Sequence, residues 1–585
     1  MRQGRAAHAT RNHIGEDQTK AMPTDLDKDI QRFTAAVTAP GQMFELIETT
    51  RRGVEMPAFK NAPPSLAHYF AYFANEKKDE LFLVDGDLRL TFGQVYAAAA
   101  NVAHGLATRH GLKKGDRVGI AARNSVNWIL AYMGTLMAGG CATLLNGWWT
   151  GEEMAYGIDL CECSLVLADP QRAARMEGQD IKANVVVFDH GEPSEGLAPI
   201  WAEGDTAMQM LGQLGPDDLA TILYTSGSTG NPKGAYSDHL GVVSGTMNYV
   251  AQTAMILQIL TERGEAPTVQ PSALVAVPLF HVTGEVPLFL QSFALGRKLV
   301  LMPKWDAREA LRLLDEEKIT YFVGVPLMSF ELATHPERDQ FDLSQCKSFA
   351  AGGAPRPPEH VTKIKEAFPD GFPLLGYGLT ETNAVGCGNL NENYMAKPGS
   401  TGMASKPLVD LAILDDDGNK LAQGEVGEVC IRSVANFLGY WKNEEATASA
   451  YTKDAYFRTG DLGYLDEDGY LFIVDRKKDI IIRGGENISC IEVEEAIYAH
   501  PAIAECSVFG VPDERLGEIP AAVYFTHEGK DLEPEELREF LREHIAAFKV
   551  PAHVWRSEHH LPRLGTQKVD KRTVKSTYAE SITAA

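Results

Sequence analysis

Positive charge is in short supply in this chain. Lys and Arg total 55 against 79 Asp and Glu, a net charge of −24 over 585 residues. No basic stripe offsets that balance, so nucleic acid is not an expected partner. A polyanionic ligand must instead be held by a few placed cations and a metal. Cysteine is sparse as well: the eight residues lie far apart, except in Cys161-Glu162-Cys163, and form no paired CxxC motifs. That excludes zinc-type pairing, and a reduced, cytoplasmic setting is expected. Long apolar runs are missing. The greasiest stretch, Ala273 to Leu295, is interrupted by Pro278, His281, Glu285 and Pro287. It reads as a buried strand-turn-helix, and no transmembrane helix is expected. The first residues carry Arg2, Arg5 and Arg11, but no apolar segment follows them. A secretory signal is therefore not predicted. Residues 1–30 are expected to form a disordered leader, with Met22 as an alternative start, and no internal repeat or low-complexity tract stands out.

What is present suits a globular protein. Apolar residues make up 44% and charged residues 23%, and the length calls for at least two domains. The most informative run is Tyr224-Thr225-Ser226-Gly227-Ser228-Thr229-Gly230-Asn231-Pro232-Lys233-Gly234. It follows a strand-like apolar stretch, Leu219 to Leu223, and precedes a helical pattern that starts near Asp238. Glycines let backbone N–H groups approach anionic oxygens, hydroxyls add donors, and Lys233 adds charge, so the run predicts a polyphosphate loop. It does not fit the ordinary G-x-x-x-x-G-K-[ST] pattern, because Pro232 precedes Lys233 and Gly234 follows it.

Between Gly215 and Tyr377 strand-like and helix-like segments alternate. Strands are predicted at Leu219–Tyr224, Ala273–Phe280, Lys298–Met302, Thr320–Val325, Lys347–Ala351 and Pro373–Gly376. Helices are predicted over Asp238–Leu257, Ala307–Glu317 (with Asp306 as N-cap) and Pro357–Phe368. Such alternation implies parallel sheets covered by helices, with ligands gathering beyond the carboxyl ends of the strands. From about Pro407 to Tyr470 the texture changes to short strands, with turns expected at Asp417-Gly418, Gly427-Glu428 and Asp468-Gly469. After Asp475 a charged connector leads into a helix, Val493–His500, and a strand, Ala502–Phe509, as in a compact α+β unit.

Four further segments complete the pattern: Leu375-Gly376-Tyr377-Gly378-Leu379-Thr380-Glu381-Thr382; Phe457-Arg458-Thr459-Gly460-Asp461-Leu462-Gly463; Asp475-Arg476-Lys477-Lys478-Asp479 with Arg483-Gly484-Gly485-Glu486-Asn487-Ile488; and Leu561-Pro562-Arg563-Leu564-Gly565-Thr566-Gln567-Lys568. With the loop above, in this order, they resemble the core motifs of the adenylate-forming (AMP-binding) superfamily. The resemblance is to its acyl-CoA synthetase branch and covers roughly residues 60 to 575. It implies an α/β fold: a large N-terminal domain of doubly wound sheets with a small β-rich subdomain, hinged to a small α+β C-terminal lid. The expected division is 31–476 for the AMP-binding domain and 477–585 for the lid, with the hinge at Lys478.

The resemblance also implies roles. Thr225, Ser226, Gly227, Ser228, Thr229, Gly230 and Lys233 would hold the β- and γ-phosphates of ATP. Thr380 and Glu381 would contact the α-phosphate and Mg2+, with Thr225 near the metal. In isolation a Thr-Glu pair reads as a helix cap. Tyr377 with Gly378 on one side, and Gly353-Ala354-Pro355 on the other, would enclose adenine. Asp461 would bind the ribose hydroxyls, with Arg476 reaching ribose or phosphate. Lys568 would bridge the carboxylate and the α-phosphate. Gln567 replaces the family's usual glycine, which puts the geometry of that loop in question. Lys478 would be the pivot, and Gly484, Gly485 and Glu486 would line the path of the coenzyme A thiol.

Pro278-Leu279-Phe280-His281 stands where amino-acid-activating relatives carry an aspartate for the substrate ammonium. His281 offers no fixed anion, so an amino acid is not expected, and a gating role at the acyl pocket is. Gly352, Gly376 and Gly378 suggest room beyond acetate, hence a medium- or long-chain fatty acid. An aromatic or cyclic acid, or a fatty acyl-AMP ligase serving a carrier protein, stays open. A peptide-synthetase module would need a carrier domain, and none follows Lys568 here. An inactive nucleotide binder would be expected to lose Lys568, Glu381 or Lys233, and all three are present. Oligomeric state stays open too, a homo-oligomer included.

Overall fold

The structure is a computed structural model that describes residues 24–225, 232–564 and 568–583. Its first element is a helix, Asp25–Val37, closed by a reciprocal cap in which Thr24 and Asp27 bond each other's backbone N–H. The expected leader is therefore corrected: residues 24–30 belong to this cap and helix, and residues 1–23 lie outside the described residues. The reason is the buried Asp27 carboxylate, which accepts from Tyr470 Oη at 2.9 Å and Asn393 Nδ2 at 2.8 Å and so ties the helix down. A hairpin follows, Leu46–Arg51 and Val54–Phe59. It buries Arg51 against Asp238 (Nη1–Oδ2 2.8 Å) and the carbonyl of Asn436 (2.7 Å).

Two large sheets form the body. In one, mostly parallel strands run in the spatial order Gly439–Tyr440, Lys233–Asp238, Leu219–Thr225, Cys141–Leu144, Arg117–Ala121, Leu165–Ala168, Asn184–Val187. The other centres on parallel strands Phe372–Gly378, Ser348–Gly352, Tyr321–Gly324, Ser272–Val275 and Lys298–Leu301. Helix Val126–Met137 is apolar all round and buried along its whole length, as a helix packed on every side must be. It belongs to the same core cluster as strand and helix residues from both sheets. Crossovers within the parallel regions place the strand ends, and the loops after them, on a shared edge.

Several predicted boundaries shift for identifiable reasons. The strand expected over Ala273–Phe280 ends at Val275. Pro278 has no N–H to continue a ladder, and its carbonyl instead accepts from His281 N–H in a turn (3.2 Å). Gly427-Glu428 is not a turn but the start of strand Gly427–Arg432; the chain reverses earlier, around Gly424 at φ +81°. The β-rich subdomain is a four-stranded sheet, Asp410–Leu414, Gly427–Arg432, Phe457–Leu465 and Leu471–Arg476. The C-terminal unit packs helices Cys490–Tyr498 and Pro534–His544 on a sheet whose longest pair is Ile503–Asp513 and Gly517–Thr526. All eight cysteines are buried and none is in a disulfide. Among the described residues no helix is long and apolar enough to cross a membrane.

Candidate active site

The phosphate-loop run joins two antiparallel strands. Thr225 and Lys233 sit opposite each other at the ends of Leu219–Thr225 and Lys233–Asp238, so the loop closes a hairpin. This corrects the strand-to-helix connection expected from sequence. The N-terminus of the following helix, His239–Glu262, is closed by Asp238, which accepts from Gly241 N–H at 2.8 Å and is paired with Arg51. It is thus not free to receive a phosphate. Ser226, Gly227, Ser228, Thr229 and Gly230 lie outside the described residues. Lys233 extends its ammonium over the ring of Tyr440, 5.0 Å from the centroid.

Thr380 and Glu381 lie on a short 3-10 turn, Thr380–Thr382, at the end of strand Phe372–Gly378. Asn383 follows at φ +47°, held in the left-handed region by its amide, which donates to Ser237 Oγ and Ala435 O. Glu381 is buried. Its Oε1 accepts from Tyr440 Oη at 2.8 Å, and its carbonyl accepts from Phe437 N–H, also at 2.8 Å. Burial raises its carboxyl pKa, while the Tyr440 bond and the more distant Arg476 and Lys233 oppose that rise. Among the described residues, no three or more His, Cys, Asp or Glu side chains are placed to hold a metal ion. A single carboxylate suits Mg2+ brought in on substrate phosphates, since that ion keeps water and phosphate ligands and needs few from protein. Glu381 fits that part. Tyr440 is the residue that sequence reasoning missed. It reaches the site through a two-residue strand, Gly439–Tyr440, that pairs with Ala235 and Tyr236, far away in the chain.

Tyr377 is also on strand Phe372–Gly378, and its hydroxyl donates to Asp461 Oδ2 at 2.7 Å. Arg476 pairs across the sheet with Asp461 and places Nε 3.1 Å from Oδ1. Asp461 is thereby fixed between an aromatic wall and a half-exposed cation. Gly353, at φ +77°, opens the loop Gly353-Ala354-Pro355 after strand Ser348–Gly352. A Cβ built at Gly353 would lie 3.3 Å from Lys568 Nζ, so the lid's lysine reaches this loop. Burial pushes the Lys568 ammonium down to about 8, with Arg476 adding to the drop and Asp461 opposing it. His281 lies close enough to feel Lys568: burial first, then that ammonium, holds its ring down at about 3. His281 Nδ1 accepts from Thr283 N–H (3.3 Å), which leaves the proton of the neutral ring on Nε2. Lys568 therefore lies against Gly353 and within electrostatic reach of Arg476, Asp461 and His281.

The C-terminal unit is docked on the body by several contacts. Ser489 Oγ donates to Val474 O at 2.8 Å, and Cys490 N–H donates to the Asp475 carboxylate. His360 stacks on Phe330 (4.0 Å) and meets Tyr498 of the lid edge-on at 6.3 Å. Leu564 N–H bonds Lys568 O at 2.8 Å, while the Gln567 question falls outside the described residues. Not every expected residue joins this group. Lys478 is exposed, and Gly484 and Gly485 (φ +60° and +94°) form the tip of the hairpin Ile481–Arg483 and Glu486–Ile488. That tip is exposed, and Gly484 N–H bonds Leu516 O within the lid (2.7 Å). Gly378 also needs a correction. A Cβ there would meet the Ala384 carbonyl oxygen at 1.9 Å, so this glycine permits close backbone approach and says nothing of pocket room. Gly376 faces open space, with Ala351 O the nearest atom at 4.0 Å, and Gly352 meets only Gly376 O at 3.3 Å.

A large body joined to a small C-terminal unit, with a buried glutamate on the body and a buried lysine reaching the body from that unit, has the build of an adenylate-forming enzyme. Comparison with known proteins agrees. The family model for AMP-binding enzymes matches residues 70–441, and that for the AMP-binding enzyme C-terminal domain matches residues 492–568. A long-chain-fatty-acid–CoA ligase of Bacillus subtilis is 33% identical over 84% of this chain and 91% of its own length. A feruloyl-CoA synthase of Amycolatopsis is 31% identical over 84% of this chain and 95% of its own. The crystal structure of ATP-bound MatB from Rhodopseudomonas palustris superposes with a TM-score of 0.75 at 28% identity, covering 88% of this chain and 99% of that one. This chain belongs to the AMP-binding enzyme family.

Proposed function

We propose that this protein activates a medium- or long-chain fatty acid as its adenylate and passes the acyl group to coenzyme A. The class is that of an AMP-forming acid–CoA ligase, which uses ATP, Mg2+ and coenzyme A. The observation that carries the reading is the approach of Lys568 to Gly353, His281, Asp461 and Arg476. A carboxylate oxygen attacks the α-phosphorus, the bond to the β-phosphate oxygen breaks, and pyrophosphate leaves. In the second step the coenzyme A thiol loses its proton, its sulfur attacks the acyl carbon, and AMP departs.

Each step begins as an encounter of like charges, so placed cations lower the barrier most. Lys568 neutralises the carboxylate and α-phosphate where they meet. Asp461 accepts from the ribose hydroxyls, Tyr377 and the Gly353-Ala354-Pro355 loop flank adenine, and Thr225, Lys233 and Thr380 hold phosphate oxygens. A magnesium ion held by Glu381 and the triphosphate would supply charge neutralisation there. His281 stays neutral and shapes the entrance to the acyl site. The domains divide at 476/477 with the pivot at Lys478. Rotation about it withdraws Lys568 and brings Gly484, Gly485 and Glu486 to the site. A cytoplasmic location is part of this proposal, supported by eight buried thiols outside any disulfide.

The fatty-acid preference is supported by the room beside Gly376 and by the absence of a fixed anion at His281. An aromatic acid is the second reading, favoured by the similarity to a feruloyl-CoA synthase. A panel of acids scored for thioester formation separates the two. Each methylene that enters an apolar channel contributes about 0.8 kcal/mol, roughly fourfold in kcat/KM, until the channel ends. The expected result is a rise from acetate through octanoate. Acetate as the best substrate would overturn the fatty-acid preference, and ferulate above octanoate would select the second reading. Adenylate release unaffected by coenzyme A would point to an acyl-AMP ligase.

A further inference from the structure

Tyr440 belongs to none of the motifs that the sequence singles out, yet it touches two of them at once. Its hydroxyl donates to Glu381 Oε1 at 2.8 Å, and its ring lies beneath the Lys233 ammonium, 5.0 Å from centroid to Nζ. Among the described residues no other side chain bonds the Glu381 carboxylate, whose remaining bond is to its own backbone N–H. The tyrosine is itself held in place. Its N–H donates to Thr447 Oγ1 at 2.9 Å, its ring packs edge-on against Phe437 at 5.0 Å, and its short strand pairs with Ala235 beside Lys233–Gly234. Phe437 in turn donates its N–H to the Glu381 carbonyl, so the segment 437–440 grips Glu381 at both backbone and side chain.

We propose that Tyr440 is a positioning residue for the nucleotide's phosphates: its hydroxyl aims the Glu381 carboxylate at the metal, and its ring supports the Lys233 ammonium at the phosphate loop. The inference rests on the reading of Glu381 and Lys233 given above. A carboxylate with two oxygens and free rotation can meet a metal in several ways. A donor fixed on Oε1 leaves Oε2 and the second lone pair of Oε1 as the coordinating positions, as outer-shell donors do at metal sites generally. The ring face holds the ammonium without neutralising it, so the full charge stays available to the triphosphate. Tyr440 is only half-buried, and one side of it lines an open cleft of about 700 Å3 between Arg52, Trp441 and Tyr451. Shortening its side chain therefore opens no sealed void and should leave the fold intact.

The test is calorimetric binding of ATP to the full-length protein over a series of Mg2+ concentrations, with no acid or coenzyme A present. Tyr440→Phe keeps the ring and loses the donor. It should raise the Mg2+ concentration that gives half-maximal ATP affinity about tenfold, and leave metal-free ATP affinity as in wild type. Tyr440→Leu loses both and should also weaken metal-free ATP binding by about threefold, the loss of a partly exposed cation–π contact. Glu381→Gln serves as the control. If it shifts the Mg2+ dependence and Tyr440→Phe does not, the positioning role falls while the metal role of Glu381 stands. If Glu381→Gln shifts nothing, both fall. A Tyr440→Phe protein that loses metal-free and metal-dependent binding equally would also overturn the proposal, because a merely structural residue would behave that way.

Discussion

Lys568→Ala should abolish adenylate formation, a loss on the order of a thousandfold, while sparing thioester formation from a supplied acyl-adenylate. The lysine is delivered by the lid to Gly353 in the body and lies within electrostatic reach of His281 and Asp461. In the proposed mechanism its charge matters when carboxylate and α-phosphate meet, and rotation carries it away before the second step. Half-reactions measured separately, by pyrophosphate release and by thioester yield, check this. An equal loss in both would show that the lid does not withdraw the lysine. The same residue gives a pH signature. Burial depresses its pKa from 10.5 to about 8 in the closed form. Raising the pH through 8 therefore removes the proton that chemistry needs, and kcat/KM for adenylation should fall there. The sign for lid closure is opposite. Between 8 and 10.5 the exposed lysine is charged and the buried one neutral, so closing releases a proton and higher pH favours it. Thioester formation from supplied adenylate should lack the alkaline limb.

Glu381→Gln should cut adenylation by about a hundredfold or more and blunt its response to Mg2+. Glutamine keeps the shape and can still accept from Tyr440, so the variant isolates charge from packing. Among the described residues no group of three or more His, Cys, Asp or Glu offers an alternative metal cluster. An unchanged Mg2+ titration and rate would make Glu381 a structural residue at the end of its strand.

The sequence was most legible where function demands a fixed order of residue types along one segment. Tyr377, Thr380, Glu381, Asp461 and Lys568 were singled out because the runs around them resemble a family's motifs; taken alone, a Thr-Glu pair reads as a helix cap. Asp306 as a helix cap, and the turns at Asp417-Gly418 and Asp468-Gly469, were legible for local reasons, since capping and positive φ are set by near neighbours. What depends on distant pairing was not. The strand Lys233–Asp238 is too short and mixed to show a period, and it forms because Leu219–Thr225 lies on one side and Gly439–Tyr440 on the other. Tyr440 became a site residue through that pairing alone. Gly378 illustrates the reverse error. From sequence its missing side chain suggested space for substrate, whereas the Ala384 carbonyl occupies that space. Glycine signals that something comes close, and only the fold says whether it is ligand or backbone.

The buried contacts of the N-terminal helix and hairpin bear on how a working fragment of this protein should be cut. The family match begins at residue 70, after both elements. An expression boundary drawn there would delete Arg51 from a nearly inaccessible pair with Asp238 and leave that carboxylate stranded at the end of the strand that begins with Lys233. Losing one partner of such a pair costs about 3–5 kcal/mol, a large share of a typical domain's whole margin. The same cut would remove Asp27 from the hydroxyl of Tyr470 in the β-rich subdomain, hundreds of residues away. A folding unit thus starts earlier than the family match at residue 70, and the residues ahead of the core motifs are as much a part of the machine's chassis as the motifs are of its engine.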